Sequence, residues 1–165
     1  MRTIDRTTDN WMTVAGTAAA AGGLCWVAKQ GVIAATLPAS GGPPPESLPI
    51  AVLYLLGTAL MVVGASGLVA RLTVGWMTPL RVVVAVVVSP MIFLGISTLI
   101  DMIVDALAGA NAGWWWTGEA AILLTGLLFA TAGAAALRSG ARRVPDEGHD
   151  ARPPRRGRRE SRDLT

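Results

Sequence analysis

Four long runs of apolar residues alternate with short polar segments along the chain. The first runs from Trp11 to about Leu37 and is interrupted once, at Lys29-Gln30. The second extends from Ile50 to Ala70 and ends at Arg71. The third opens at Thr78-Pro79, a helix-start signal with threonine as N-cap and proline at the first helical position, and covers 79–104. The fourth covers 117–137 and stops at Arg138. Each run reaches the roughly 20 residues needed to cross about 30 Å of hydrocarbon. Backbone groups in lipid must be satisfied within the segment, so all four are expected to be helices, the β-branched run Val82–Val88 included. Between the first two lies "PASGGPPPES", a proline-glycine stretch that cannot continue a helix. The expected fold is an all-α membrane protein. Residues 1–10 form a short cytoplasmic N-terminus, 11–137 a four-transmembrane-helix bundle and 138–165 a disordered basic C-terminal tail.

Composition sharpens this reading. Of the 165 residues, 52% are hydrophobic and only 15% charged, against about a quarter charged in a typical soluble domain. The charges sit at the ends or in short clusters. Cys25 is alone, so an intramolecular disulfide, a Cys-Xaa-Xaa-Cys pair and a cysteine-based zinc site are excluded. Every basic residue except Lys29 is arginine, a coding bias that fits a bacterial chain.

The basic residues also orient the spans. Arg2 and Arg6 precede the first, Arg71 and Arg81 flank the turn between the second and third, and Arg138, Arg142 and Arg143 follow the fourth. The other two connections carry only acids: Glu46 in one, and Asp101, Asp105 and Glu119 around the other. By the positive-inside rule both termini are cytoplasmic in the cell (plasma) membrane, and the connections 38–48 and 106–116 are external. A cleaved signal peptide fits the first span poorly, because Lys29 breaks the run and no Ala-Xaa-Ala site precedes the loop. Five tryptophans fall at the expected boundaries: Trp11 and Trp76 at the cytoplasmic side, and Trp114, Trp115 and Trp116 at the outer. An amphipathic indole prefers the headgroup zone, so these five are read as interface anchors. A base-stacking platform would need adjacent cations, and here the neighbours are acids.

Catalytic chemistry finds little support. Asp101-Xaa3-Asp105, preceded by Gly67-Xaa2-Ala70-Arg71, is faintly similar to the metal-binding signature of CDP-alcohol phosphotransferases. Ser66 stands where that signature has an aspartate and Leu80 where it has a glycine, so the similarity is rejected. His149, the only histidine, lies in the tail and forms no nucleophile pair. Neither a metal nor a cofactor is expected. Small residues recur at helix-packing spacings: Gly16 with Ala20, Gly57 with Gly64, Gly64 with Gly67, and Gly126 with Ala130 and Ala134. Such spacing lets helices approach closely in lipid, within one chain, in a homo-oligomer or with another membrane protein. Pro90, in mid-span, is expected to kink the third helix.

Two charged regions remain. At 1.5 Å per residue, Lys29 stands roughly 27 Å above Trp11, Asp101 roughly 30 Å above Arg81 and Glu119 roughly 28 Å above Arg138. The three share one level as a candidate intramembrane charge cluster. Lys29 either extends its stem outward to water or pairs with Asp101 or Glu119. The tail, 138–165, carries nine arginines against five acids, whereas the whole chain is only +3. Its core, "RRGRRESR", supplies Arg155, Arg156, Arg158 and Arg159 for contact with anionic lipid at the cytoplasmic face or with a cytoplasmic partner. Nucleic acid is the weaker alternative partner. The resulting expectation is a non-enzymatic membrane subunit or scaffold. An oligomeric pore-former, similar in layout to short phage holins, and a small transporter are the alternatives.

Overall fold

The computed structural model describes residues 3–38, 42–44, 47–111 and 114–141. They form four helices: α1 (Thr3–Thr36), α2 (Leu48–Leu72), α3 (Thr78–Ala108) and α4 (Trp115–Ala141), with a short 3-10 turn at Gly109–Asn111 between α3 and α4. No strand occurs among the described residues. All four helices are long and apolar enough to cross a membrane.

Every apolar run became one helix, and each helix outruns its run. α1 continues back to Thr3 through residues read as a separate N-terminal segment, because no glycine or proline breaks that stretch. α2 opens at Leu48 after the extended Ser47, with Pro49 in its first turn. α3 has Met77 rather than Thr78 as its N-cap and continues unbroken through Pro90. α4 takes in Trp115 and Trp116 at its start and residues 138–141, expected in the tail, at its end. Helix geometry therefore persists past the apolar stretch where no proline stops it; Pro38 follows the end of α1. Hydroxyls inside the helices bond back along their own chain. Thr58 Oγ1 donates to the Tyr54 carbonyl at 2.8 Å and Thr131 Oγ1 to the Leu127 carbonyl at 2.9 Å, so these side chains need no water.

The helices alternate in direction. Gly16 of α1 lies beside Gly133 and Ala136 of α4, and Gly67 of α2 beside Ala15 of α1. At the other end Lys29 meets Glu119. α1 is the centre of the arrangement, packed against α2 on one side and α4 on the other, while α3 packs more lightly on α2 and α4. α1 is also the least apolar of the four, with a mean hydropathy of 1.3 against 2.5 for α3, yet 39% of its apolar window is buried against 11% for α3.

Small residues explain that inversion. Gly22 and Gly23 are consecutive and face opposite neighbours. A methyl group on Gly22 would lie 2.7 Å from the Gly57 carbonyl oxygen of α2 and 2.8 Å from the Met61 nitrogen. On Gly23 it would run into the Gly126 carbonyl of α4 and come 2.6 Å from the Ala130 nitrogen. Ala19 fits against Gly64 in the same way, and Ala20 against Gly133. The spaced small residues of the sequence thus line both faces of α1, where backbones meet at the distance that only glycine and alanine permit.

An aromatic chain closes the core. Trp26 of α1 stacks on Tyr54 of α2, with centroids 5.4 Å apart and planes within 8°, and meets the edge of Phe93 of α3 at 5.9 Å. Phe93 in turn meets Phe129 of α4 at 5.9 Å. The Trp26 indole Nε1 donates to the Tyr54 carbonyl at 3.1 Å, so its one polar atom is satisfied.

Gly23→Val should therefore destabilise the bundle by about 1–3 kcal/mol through overpacking. Gly31→Ala, where a methyl group would meet nothing within 4 Å, should leave stability unchanged or slightly raised. Thermal melting of the two variants in mild detergent tests this; equal melting temperatures would contradict the close-approach account.

A buried ion pair as the candidate functional site

Lys29 follows Trp26 by one helical turn on α1 and is buried, at 4% exposure. Its Nζ donates to Glu119 Oε2 at 2.6 Å. The adjacent Gln30 donates from Nε2 to the same carboxylate oxygen at 2.7 Å and to the Glu119 backbone carbonyl at 3.2 Å. Lys29 Nζ also stands 5.5 Å from the centroid of the Tyr54 ring, within cation–π range. Three helices contribute: α1 the two donors, α4 the carboxylate and α2 the aromatic face.

Of the three charges that the sequence places at one level, the structure joins Lys29 and Glu119. Lys29 does not extend outward to water; its ammonium turns inward to α4. Asp101 is exposed on α3 and lies outside the cluster. The packing explains the choice, since α3 lies on α2 and α4 and reaches α1 through Phe93 rather than along its length. Sequence reasoning also missed Gln30, Trp26 and Tyr54. Trp26 carried a signal, being the one tryptophan in the interior of an apolar run. Gln30 carries no separate signal in the sequence beyond interrupting the apolar run beside Lys29.

The opposite end of the bundle holds the arginines. Arg71 closes the last turn of α2 and Arg138 that of α4. Arg81 Nη2 donates to the Ala70 carbonyl at 2.8 Å, satisfying a backbone acceptor that the end of α2 leaves open. Gly67–Arg71 thus sit at one end and Asp101–Asp105 at the other, so the two halves of the phosphotransferase-like pattern are far apart. Among the described residues no three His, Cys, Asp or Glu side chains gather in a group that could hold a metal ion. Trp11, Trp76, Trp114 and Trp116 are exposed at the bundle ends and Trp115 is partly buried. Glu46 and the tail arginines Arg155, Arg156, Arg158 and Arg159 lie outside the described residues.

Chemically the cluster is a clasp. Its carboxylate accepts two donors on one oxygen, and its lysine is shut between a ring and an acid. Comparison with family models, with curated proteins and with solved structures finds no match to this chain.

Double-mutant cycles should separate the two pairings. Lys29→Met alone should cost about 3 kcal/mol, the low end for breaking a buried pair, because Glu119 keeps 24% of its side chain exposed. Lys29→Met with Glu119→Gln should cost clearly less than the sum of the single losses, and Lys29→Met with Asp101→Asn should be additive. Melting in detergent reads both cycles, and additivity in the first would mean that the pair contributes no coupling.

Proposed function

We propose that this chain is a small non-enzymatic protein crossing the cell membrane four times with both termini in the cytoplasm. It acts as a subunit or scaffold whose Arg-rich tail engages anionic lipid or a cytoplasmic partner. The observation that carries the reading is the segregation of charge along the bundle axis. Arg71, Arg81 and Arg138 stand at one end, and Asp101, Asp105 and Glu119 at the other. Positive-inside orientation then assigns the arginine end to the cytoplasm. The ion pair supports a structural role, because its groups are turned on one another between helices. The tail, with "RRGRRESR" at its core, follows Arg138 in the sequence and adds further basic residues. Near an anionic surface each of its arginines is worth about 1 kcal/mol.

Reporter fusions test the topology. Alkaline phosphatase joined after residue 140 should be inactive in intact cells and joined at residue 42 active; the reverse pattern would overturn the reading. For the tail, a peptide of residues 138–165 should bind phosphatidylglycerol vesicles, weaken as salt rises and ignore phosphatidylcholine vesicles, since exposed charges are screened over about 8 Å at physiological ionic strength. Equal binding to both vesicle types would remove lipid as the tail's partner.

A further inference from the structure

A cavity of about 510 Å³ opens among the four helices in the arginine half of the bundle. Met12, Arg71 and Ser139 stand at its mouth, and Ala19, Ile96 and Phe129 close its inner end. The lining between them is almost wholly apolar, built largely from glycine and alanine. It exists because α3 contributes only Ile92 and Ile96, so no residue of α3 before Ile92 covers the gap in front of α1. Leu68 and Leu128, on either side, are about half exposed, which leaves the slot open laterally. Its volume falls in the range of ligand pockets.

We propose that this slot holds one acyl chain of an anionic phospholipid from the cytoplasmic leaflet, with the lipid phosphate on Arg71. The proposal rests on the membrane placement given above and adds a specific lipid site to it. Depth is the first argument. Gly64 to Arg71 on α2 and Leu128 to Ser139 on α4 span about 10–16 Å at the helical rise. One leaflet contributes about half of a 30 Å hydrocarbon layer, so a chain entering at the arginine end fills the slot to its floor at mid-bundle. The lining is the second argument. A slot lined this way offers water almost no partners, and left empty its walls would forfeit their dispersion contacts. Charge at the mouth is the third. Arg71 is exposed and lines the opening; among the described residues it has no hydrogen-bond or ion-pair partner, and none of those that line the slot is an acid. A guanidinium held there presents paired donors in the geometry that matches a phosphate.

Native mass spectrometry of the full chain in mild detergent, with phosphatidylglycerol or phosphatidylcholine of the same chain length added, tests the site. The unmodified protein should retain one phosphatidylglycerol in preference to phosphatidylcholine. Arg71→Gln should lower that preference about fivefold while a chain is still retained. Ala132→Phe, which puts a ring at the open edge of the slot, should displace both lipids. Because Arg71 is exposed and unpartnered, its variant should fold even if the filled one does not. Full-length protein with Arg155, Arg156, Arg158 and Arg159 changed to Gln should keep the slot lipid. Loss of the lipid from that tail variant, with retention by Arg71→Gln, would overturn the slot and leave the tail reading intact. Equal retention of the two lipids by the unmodified protein would overturn the assignment of the phosphate to Arg71. A lipid-free dimer would give the slot to a second copy and overturn the proposal outright.

Discussion

The bundle depends on how closely the backbone of α1 approaches its two neighbours. In water a helix this rich in alanine and glycine would be a poor organiser, since it has little apolar area to bury. In lipid the hydrophobic difference between helix and solvent vanishes, and contact area between backbones decides association. Gly22 and Gly23 place that contact on both sides of one helix at the same level. Ala15, Ala19 and Ala20 continue it downward, and Trp26 fills the space above, against Gly57 and Gly126. The most apolar helix, α3, is accordingly the least buried, and its Val82, Val83, Val86 and Val87 are exposed at the periphery.

Close packing of small residues already restricts the register of α1, because each glycine stands opposite a particular stretch of neighbouring backbone. The ion pair adds a directional contact to it. Lys29 and Gln30 converge on one oxygen of Glu119, and this fixes the rotation and height of α1 against α4. A buried pair gains little over an apolar contact of the same size, whereas breaking one leaves a charge stranded. The clasp therefore acts more on the uniqueness of the arrangement than on its total stability. Trp26 does the same work toward α2, since its single hydrogen bond to the Tyr54 carbonyl can form at only one register.

Much of this was legible in the residues and some was not. Helix number follows from run lengths, because an apolar segment that long has to satisfy its backbone internally. The level of Lys29 with Asp101 and Glu119 follows from counting helical rise. Choosing between the two acids does not, since it depends on which helix stands next to α1, and sequence spacing carries no such information. The spaced glycines announce close contacts, but the assignment of Gly22 to α2 and Gly23 to α4 needs the packed arrangement. Helix ends were the weakest reading: hydropathy marks where a segment stops being apolar, and the backbone of Thr3–Asn10 continues past that point. The slot beside Arg71 could not be read at all, because a cavity is a property of neighbouring surfaces that do not quite meet.

The separation of the two clasp residues bears on the order in which such a protein is made. Lys29 precedes Glu119 by 90 positions. At the usual synthesis rate of about 5–20 residues per second, the ammonium waits on the order of 5–20 seconds before its carboxylate is even translated. During that interval the least apolar of the four helices carries a charge whose carboxylate partner does not yet exist. α1 therefore gains its second packing face and its ion-pair partner only once α4 has been made. A product cut short before α4 would be left with one face of its central helix uncovered and Lys29 without its carboxylate.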